Sequence, residues 1–134
     1  MTTILVIEDH IPIRENLLEL LEYADYQAVG AEDGEAGLQL ARQSLPDLVI
    51  CDVMMPKLDG FEVLSCLRSD PETAAIPFIF LTATAWTQKM SDLLSSNADA
   101  YIAKPFTIPT LIDAVRRSLR QIEHGIKPDY SPTP

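Results

Sequence analysis

Leu48-Val49-Ile50-Cys51-Asp52-Val53-Met54-Met55-Pro56 joins a short apolar run to a single acid and then to a proline turn. A run this short, fenced by Pro46 and Pro56, predicts a strand buried on both faces of a sheet. Asp52 then stands at the carboxyl end of a central parallel strand, the edge at which open α/β sheets bind ligands. A carboxylate there belongs to a site or is costly. Desolvated without a partner, it would raise its pKa or cost on the order of several kcal/mol.

The flanking sequence repeats the pattern. Ile4-Leu5-Val6-Ile7 is a second fully apolar strand, ending in Glu8-Asp9. Pro12 opens a helix, with Ile13, Leu17, Leu18, Leu20 and Leu21 at helical spacing through to Tyr23. Gln27–Ala31 is a short strand, and Asp33 caps a helix carrying Ala36, Leu38, Leu40 and Ala41, closed by Pro46. Beyond Pro56, Lys57–Gly60 reads as a loop, and Phe61, Val63, Leu64 and Leu67 make a third helix that stops near Asp70-Pro71. Pro77–Leu81 is strand four, ending in Thr82-Ala83-Thr84. A polar helix is predicted over 87–96, with Met90, Leu93 and Leu94 inward and Asn97 as its left-handed stop. Ala100–Ala103 is strand five, ending in Lys104-Pro105-Phe106. Thr107 caps a last helix with an inward stripe of Leu111, Val115, Leu119 and Ile122, and with Ile108 and Ala114 beside it. Strands alternating with helices predict an α/β fold, a doubly wound parallel sheet of five strands with right-handed crossovers. Residues 1–123 form the domain, and Gly125, Pro128, Pro132 and Pro134 predict a flexible C-terminal tail over 124–134.

The totals agree with one soluble core. The chain has 134 residues, 47% apolar and 22% charged. A net charge of −10 argues against nucleic acid as a partner, because such surfaces collect Lys and Arg. No apolar run approaches the ~20 residues of a membrane span, and no secretion signal opens the chain. Cys51 and Cys66 form no disulfide framework, which fits a cytoplasmic location.

A parallel sheet brings Glu8-Asp9, Asp52, Thr82 and Lys104 to one edge. Three carboxylates in one place repel, and a hard divalent cation with oxygen ligands is the simplest remedy. Glu8, Asp9, Asp52 and a backbone carbonyl just past Asp52 could hold Mg²⁺. The Thr82 hydroxyl and the Lys104 ammonium suit an incoming phosphoryl group better than a metal. The bland readings are a capping role for Glu8 and Asp9, a local turn role for Thr82, a static core aromatic at Tyr101 and an ordinary loop histidine at His10.

The chain resembles a two-component response-regulator receiver domain, the CheY-like fold. The matching pieces are Ile4–Asp9, Asp52–Pro56, Asp59-Gly60, Leu81–Ala83 and Lys104–Phe106, in the family's order and covering about residues 2–123. The resemblance implies the flavodoxin-like strand order 2-1-3-4-5. It implies that Asp52 is the phospho-acceptor, with phosphoryl groups coming from a sensor histidine kinase or a histidine phosphotransfer protein. Mg²⁺, or Mn²⁺ in its stead, would be held by Asp9, Asp52 and the Met54 carbonyl, with Glu8 acting through water. Lys104, preceding a cis proline bond, and Thr82 would meet the phosphoryl oxygens, and Thr82 and Tyr101 would act as the switch. The face made by helix four, strand five and helix five would then bind an output protein, with a homodimer left open. The family is not one of turnover enzymes, so self-phosphorylation and slow hydrolysis are the only chemistry implied. With no DNA-binding module expected after the last helix, the output is expected to be another protein, a phosphorelay partner or a covalent neighbour.

Three other readings compete. A flavodoxin-type module needs a Ser/Thr/Gly-rich phosphate loop after strand one, where this chain has Glu8-Asp9-His10. An aspartyl phosphatase needs a second acid two residues after its nucleophile, where this chain has Met54. A scaffold that has lost phosphorylation would not be expected to keep the whole set of site residues.

Overall fold

Each apolar run between turn signals becomes a strand, and each periodic run between strands becomes a helix. The structure, a computed structural model, describes residues 1–82 and 98–123, with side chains to residue 120. Its elements are β1 (Thr3–Ile7), α1 (Ile11–Tyr23), β2 (Gln27–Ala31), α2 (Gly34–Ser44), β3 (Leu48–Asp52), α3 (Gly60–Ser69), β4 (Phe78–Thr82), β5 (Ala100–Ala103) and a C-terminal helix (Ile108–Glu123). The strands pair in parallel in the order β2-β1-β3-β4-β5. This is the doubly wound, flavodoxin-like order that the resemblance implies. The helix predicted over 87–96, Asn97, Ala83, Thr84 and the tail over 124–134 lie outside the described residues.

Side chains alternate across the sheet because successive strand residues point to opposite faces. Leu5 and Ile7 join Val49, Cys51, Phe78 and Phe80 on the face covered by α2 and α3. Ile4 and Val6 join Leu48, Ile50, Ile79 and Leu81 on the face covered by α1 and the C-terminal helix. Every residue of β3 and β4 is buried, as the continuous apolar runs require. Burying each of these large side chains is worth about 1.5–3 kcal/mol, so the frame that carries Asp52 is rigid.

Local signals set the helix starts. Asp33 accepts a hydrogen bond from the Ala36 N–H at 2.8 Å, the predicted cap of α2. Asp59 and Glu62 form a reciprocal capping box at α3, so the helix begins at Gly60, where a loop was expected. The Thr107 hydroxyl accepts from the Thr110 N–H at 3.2 Å and caps the C-terminal helix. One inward assignment is corrected. Ile108 is 54% exposed, and Ile112 joins Leu111, Ala114 and Val115 in the core. Helical spacing alone therefore misplaces Ile108.

Candidate functional site

The carboxyl ends of the strands supply the site. Asp52 closes β3 and Thr82 closes β4, while Glu8-Asp9 follow β1 and Lys104 follows β5. The turn after β3 is tied down by main-chain bonds. The Val53 N–H donates to the Leu81 carbonyl at 3.0 Å, and the Gly60 N–H donates to the Val53 carbonyl at 2.9 Å. The Lys104 N–H donates to the Thr82 carbonyl at 2.7 Å, fixing the turn after β5 to the end of β4. The Lys104–Pro105 peptide is cis, as the resemblance implies.

One carboxylate oxygen from each of Glu8, Asp9 and Asp52 lies within 4.8 Å of the other two. Glu8 is fully buried and Asp52 nearly so, whereas Asp9 is exposed and forms the rim. The Lys104 ammonium sits between the two buried acids, 2.9 Å from Glu8 Oε1 and 3.3 Å from Asp52 Oδ2. Burial alone would lower the Lys104 pKa. The Glu8 hydrogen bond and the Asp52 charge outweigh it and raise the ammonium above its ordinary 10.5. Though exposed, Asp9 is raised from its ordinary 3.8, first by partial desolvation at the rim and then by its hydrogen bond and charge interaction with Glu8. The other oxygen of Glu8 accepts from the His10 N–H at 3.1 Å. His10 itself is an exposed loop residue, as its bland reading has it.

These donors suit a particular kind of cation. Glu8 is engaged by both Lys104 and the His10 N–H, whereas Asp52 has only its share of Lys104 at 3.3 Å, so the exposed Asp9 and the nearly buried Asp52 beside it are the carboxylates best placed to meet a cation. Mg²⁺ is typically held by one or two carboxylates and keeps its remaining positions for waters and phosphate oxygens. Among the described residues, the metal-ligand cluster contains carboxylates alone. Burial, followed by the Asp52 charge, pushes the Cys51 thiol well above its usual pKa and keeps it protonated.

The remaining site residues lie nearby in the sheet. Thr82 is buried at the end of β4, one residue beyond Leu81, the strand partner of Asp52. Tyr101 pairs in register with Phe80 and is 41% exposed, so it is not a sealed core aromatic. Met54 is 63% exposed on the turn after Asp52. Two participants carried no functional reading from the sequence. Arg14 donates to the Glu8 carbonyl at 2.7 Å, and Gly60 packs against the Asp52 backbone. The Asp59-Gly60 pair within the matching motif was the only sequence signal for Gly60, and none pointed to Arg14.

Five parallel strands in this order, with acids and one lysine gathered at their carboxyl ends, define a CheY-like α/β module with a candidate divalent-cation site. A family model for the response regulator receiver domain matches residues 4–116. The chain belongs to that family, the receiver domains of two-component systems. It is 41% identical to the DNA-binding dual master transcriptional regulator RpaA of Synechocystis, over 92% of this chain and 51% of that protein. It is 42% identical to Histidine kinase P4 of Formosa agariphila, over 80% of this chain and 8% of the kinase. The chemotaxis protein CheY4 of Vibrio cholerae superposes with a TM-score of 0.83 at 30% identity, covering 89% of this chain and 99% of CheY4. The chain thus spans about half the length of the transcriptional regulator and a small part of the kinase. Receiver domains typically bind Mg²⁺, interact with histidine kinases and output domains, and are generally not turnover enzymes. Among the described residues, no helix is long and apolar enough to cross a membrane.

Proposed function

We propose that Asp52 accepts a phosphoryl group from a sensor histidine kinase or a histidine phosphotransfer protein, and that the modified domain binds an output protein. The observation that carries this reading is the Lys104 ammonium at 3.3 Å from Asp52, with the Asp9 carboxylate alongside. An Asp52 oxygen attacks phosphorus. The P–O bond forms as the P–N bond to the donor imidazole breaks, and that electron pair stays on the imidazole nitrogen. Mg²⁺, when bound, neutralises charge on the phosphoryl oxygens. Asp9, Asp52 and the Met54 carbonyl would hold it, and Glu8 would act through water. Lys104 pairs with one phosphoryl oxygen and the Thr82 hydroxyl donates to another. Tyr101 follows Thr82, biasing an existing two-state equilibrium. Its partial exposure supports a ring with room to move. The surface that changes comprises the helix predicted over 87–96, β5 and the C-terminal helix.

Position 54 offers no acid to activate water, so the acyl phosphate hydrolyses slowly and the protein does not turn over other phosphoesters. The working unit is residues 1–123, acting in the cytoplasm. The test is incubation with a small acyl-phosphate donor and Mg²⁺, read by intact mass. The wild-type protein should gain one phosphoryl group and the Asp52→Asn variant none. Labelling that persists in the variant would move the acceptor elsewhere, and an unlabelled wild-type protein would remove the reading.

A further inference from the structure

The turn that carries Glu8 and Asp9 is held from outside the site. The Glu8 N–H donates to the Ala31 carbonyl of β2 at 3.1 Å, and the Glu8 carbonyl accepts from Arg14 Nη1 at 2.7 Å. The cap of α1, His10, makes no side-chain hydrogen bond of its own. Arg14, in the first turns of α1, therefore supplies a side-chain anchor that the helix cap does not. It reaches Glu8 by lying across β2 at Gly30. A Cβ at that position would stand 3.1 Å from Arg14 Cδ and 3.3 Å from Arg14 Cγ, so the missing side chain is the path the arginine uses. The guanidinium grips a neutral carbonyl, so what it contributes at this contact is the placement of the turn.

We propose that Arg14 is a positioning residue for the divalent-cation site, fixing the Glu8-Asp9 turn by its bond to the Glu8 carbonyl across Gly30. The inference rests on the reading of this site as a Mg²⁺-dependent phospho-acceptor. Arg14→Met keeps the aliphatic stem and removes the donor. Titration with Mg²⁺ alone, followed by calorimetry, should show binding weakened about ten-fold, the low end for groups that orient metal ligands. The Mg²⁺ concentration for half-maximal phosphorylation should rise with it, while the rate at saturating Mg²⁺ returns to the wild-type value. Arg14→Lys keeps a donor and should recover part of the affinity. Gly30→Val blocks the path and should weaken binding with Arg14 still present.

Wild-type affinity in Arg14→Met, or a lowered saturating rate at an unchanged Mg²⁺ midpoint, would overturn the assignment in favour of ordinary packing. Should Arg14→Met fail to fold, Arg14→Lys and Gly30→Val carry the same test. Failure of the underlying reading looks different. The wild-type protein would then neither bind Mg²⁺ nor accept phosphate on Asp52, and both conclusions would fall.

Discussion

Gly60→Ala sets two effects of opposite sign against each other. Gly60 opens α3, and its φ lies outside the left-handed range, so alanine can adopt its backbone. Helix propensity then favours alanine by at most about 1 kcal/mol, and by less at a helix end. A Cβ built at this position, however, lies 2.5 Å from the Asp52 carbonyl oxygen, 2.9 Å from Phe80 Cε1 and 3.0 Å from Val53 Cα. Two of these atoms are backbone at the end of β3. The third belongs to a buried ring packed at 5.0 Å from both Phe61 and Phe78. None is the loose end of a flexible side chain. Relief must come from moving α3 away from β3, which stretches the bond from the Gly60 N–H to the Val53 carbonyl. Overpacking of this kind costs about 1–3 kcal/mol, and contacts with backbone this short put it in the upper part of that range, so even against the full propensity gain the net loss is about 1–2 kcal/mol. Urea unfolding should show a lower midpoint at an unchanged slope. Because the displaced backbone belongs to Asp52, acyl-phosphate formation should slow as well. A variant as stable as wild type, phosphorylated at the wild-type rate, would refute the close-packing argument.

Two further perturbations probe the charges. Asp9 has a pKa raised from 3.8, so between that value and the raised one the folded protein holds a proton that the unfolded chain releases. Stability therefore falls as pH rises through that window, and the deficit persists above it. Asp9→Asn should raise the melting temperature of metal-free protein at neutral pH. It should also abolish the gain that Mg²⁺ gives wild type, about 1.4 kcal/mol when Mg²⁺ is ten times its Kd. A metal-induced gain that survives the substitution would remove Asp9 from the cation site. At the other end of the sheet, Arg68 Nη2 lies 3.6 Å from Asp99 Oδ2, with side-chain exposures of 11% and 1%. The same Asp99 oxygen accepts from the Phe78 N–H at 2.6 Å, and Arg68 Nη1 donates to the Ile76 carbonyl at 2.7 Å. Arg68→Met removes the guanidinium from a buried carboxylate and should cost about 3 kcal/mol in denaturant unfolding. A loss below about 1 kcal/mol would mean the pair is as weak as a surface one.

Much of this was legible in the chain because the signals were local. Apolar runs fenced by proline gave β3 and β4, and the acids that end β1 and β3 could only meet at one sheet edge. Asp33 and Thr107 declared their caps because a cap is set by residues within three positions of it. What escaped reading was set by contacts that no local sequence pattern marks. The sequence placed Lys104 near Asp52, but its shortest contact is with Glu8, and that choice depends on how two turns settle in space. Arg14 was hidden because its partner is a backbone carbonyl, which no sequence pattern marks. Asp99, just before β5, carried no sequence signal, yet it is a buried acceptor for the Phe78 N–H of β4, visible only once the strands are aligned. Ile108 was misplaced because periodicity gives the face of a helix and not which of its turns is covered.

The arrangement of charge also orders the events of the proposed reaction. Lys104 Nζ is 2.9 Å from Glu8 and 3.3 Å from Asp52, so in the unmodified protein it serves both acids and leans towards Glu8. Phosphorylation would turn Asp52 into a stronger acceptor carrying more negative charge. Lys104 could then move fully to the phosphoryl group only by weakening its hold on Glu8, which has no exposure to water. Leaving that carboxylate without a cation would cost on the order of several kcal/mol. A second positive charge must therefore be in place before the transfer completes, and the adjoining carboxylates of Asp9 and Asp52 are where it can sit. On this argument Mg²⁺ is required by the buried Glu8–Lys104 pair as much as by the phosphoryl group itself.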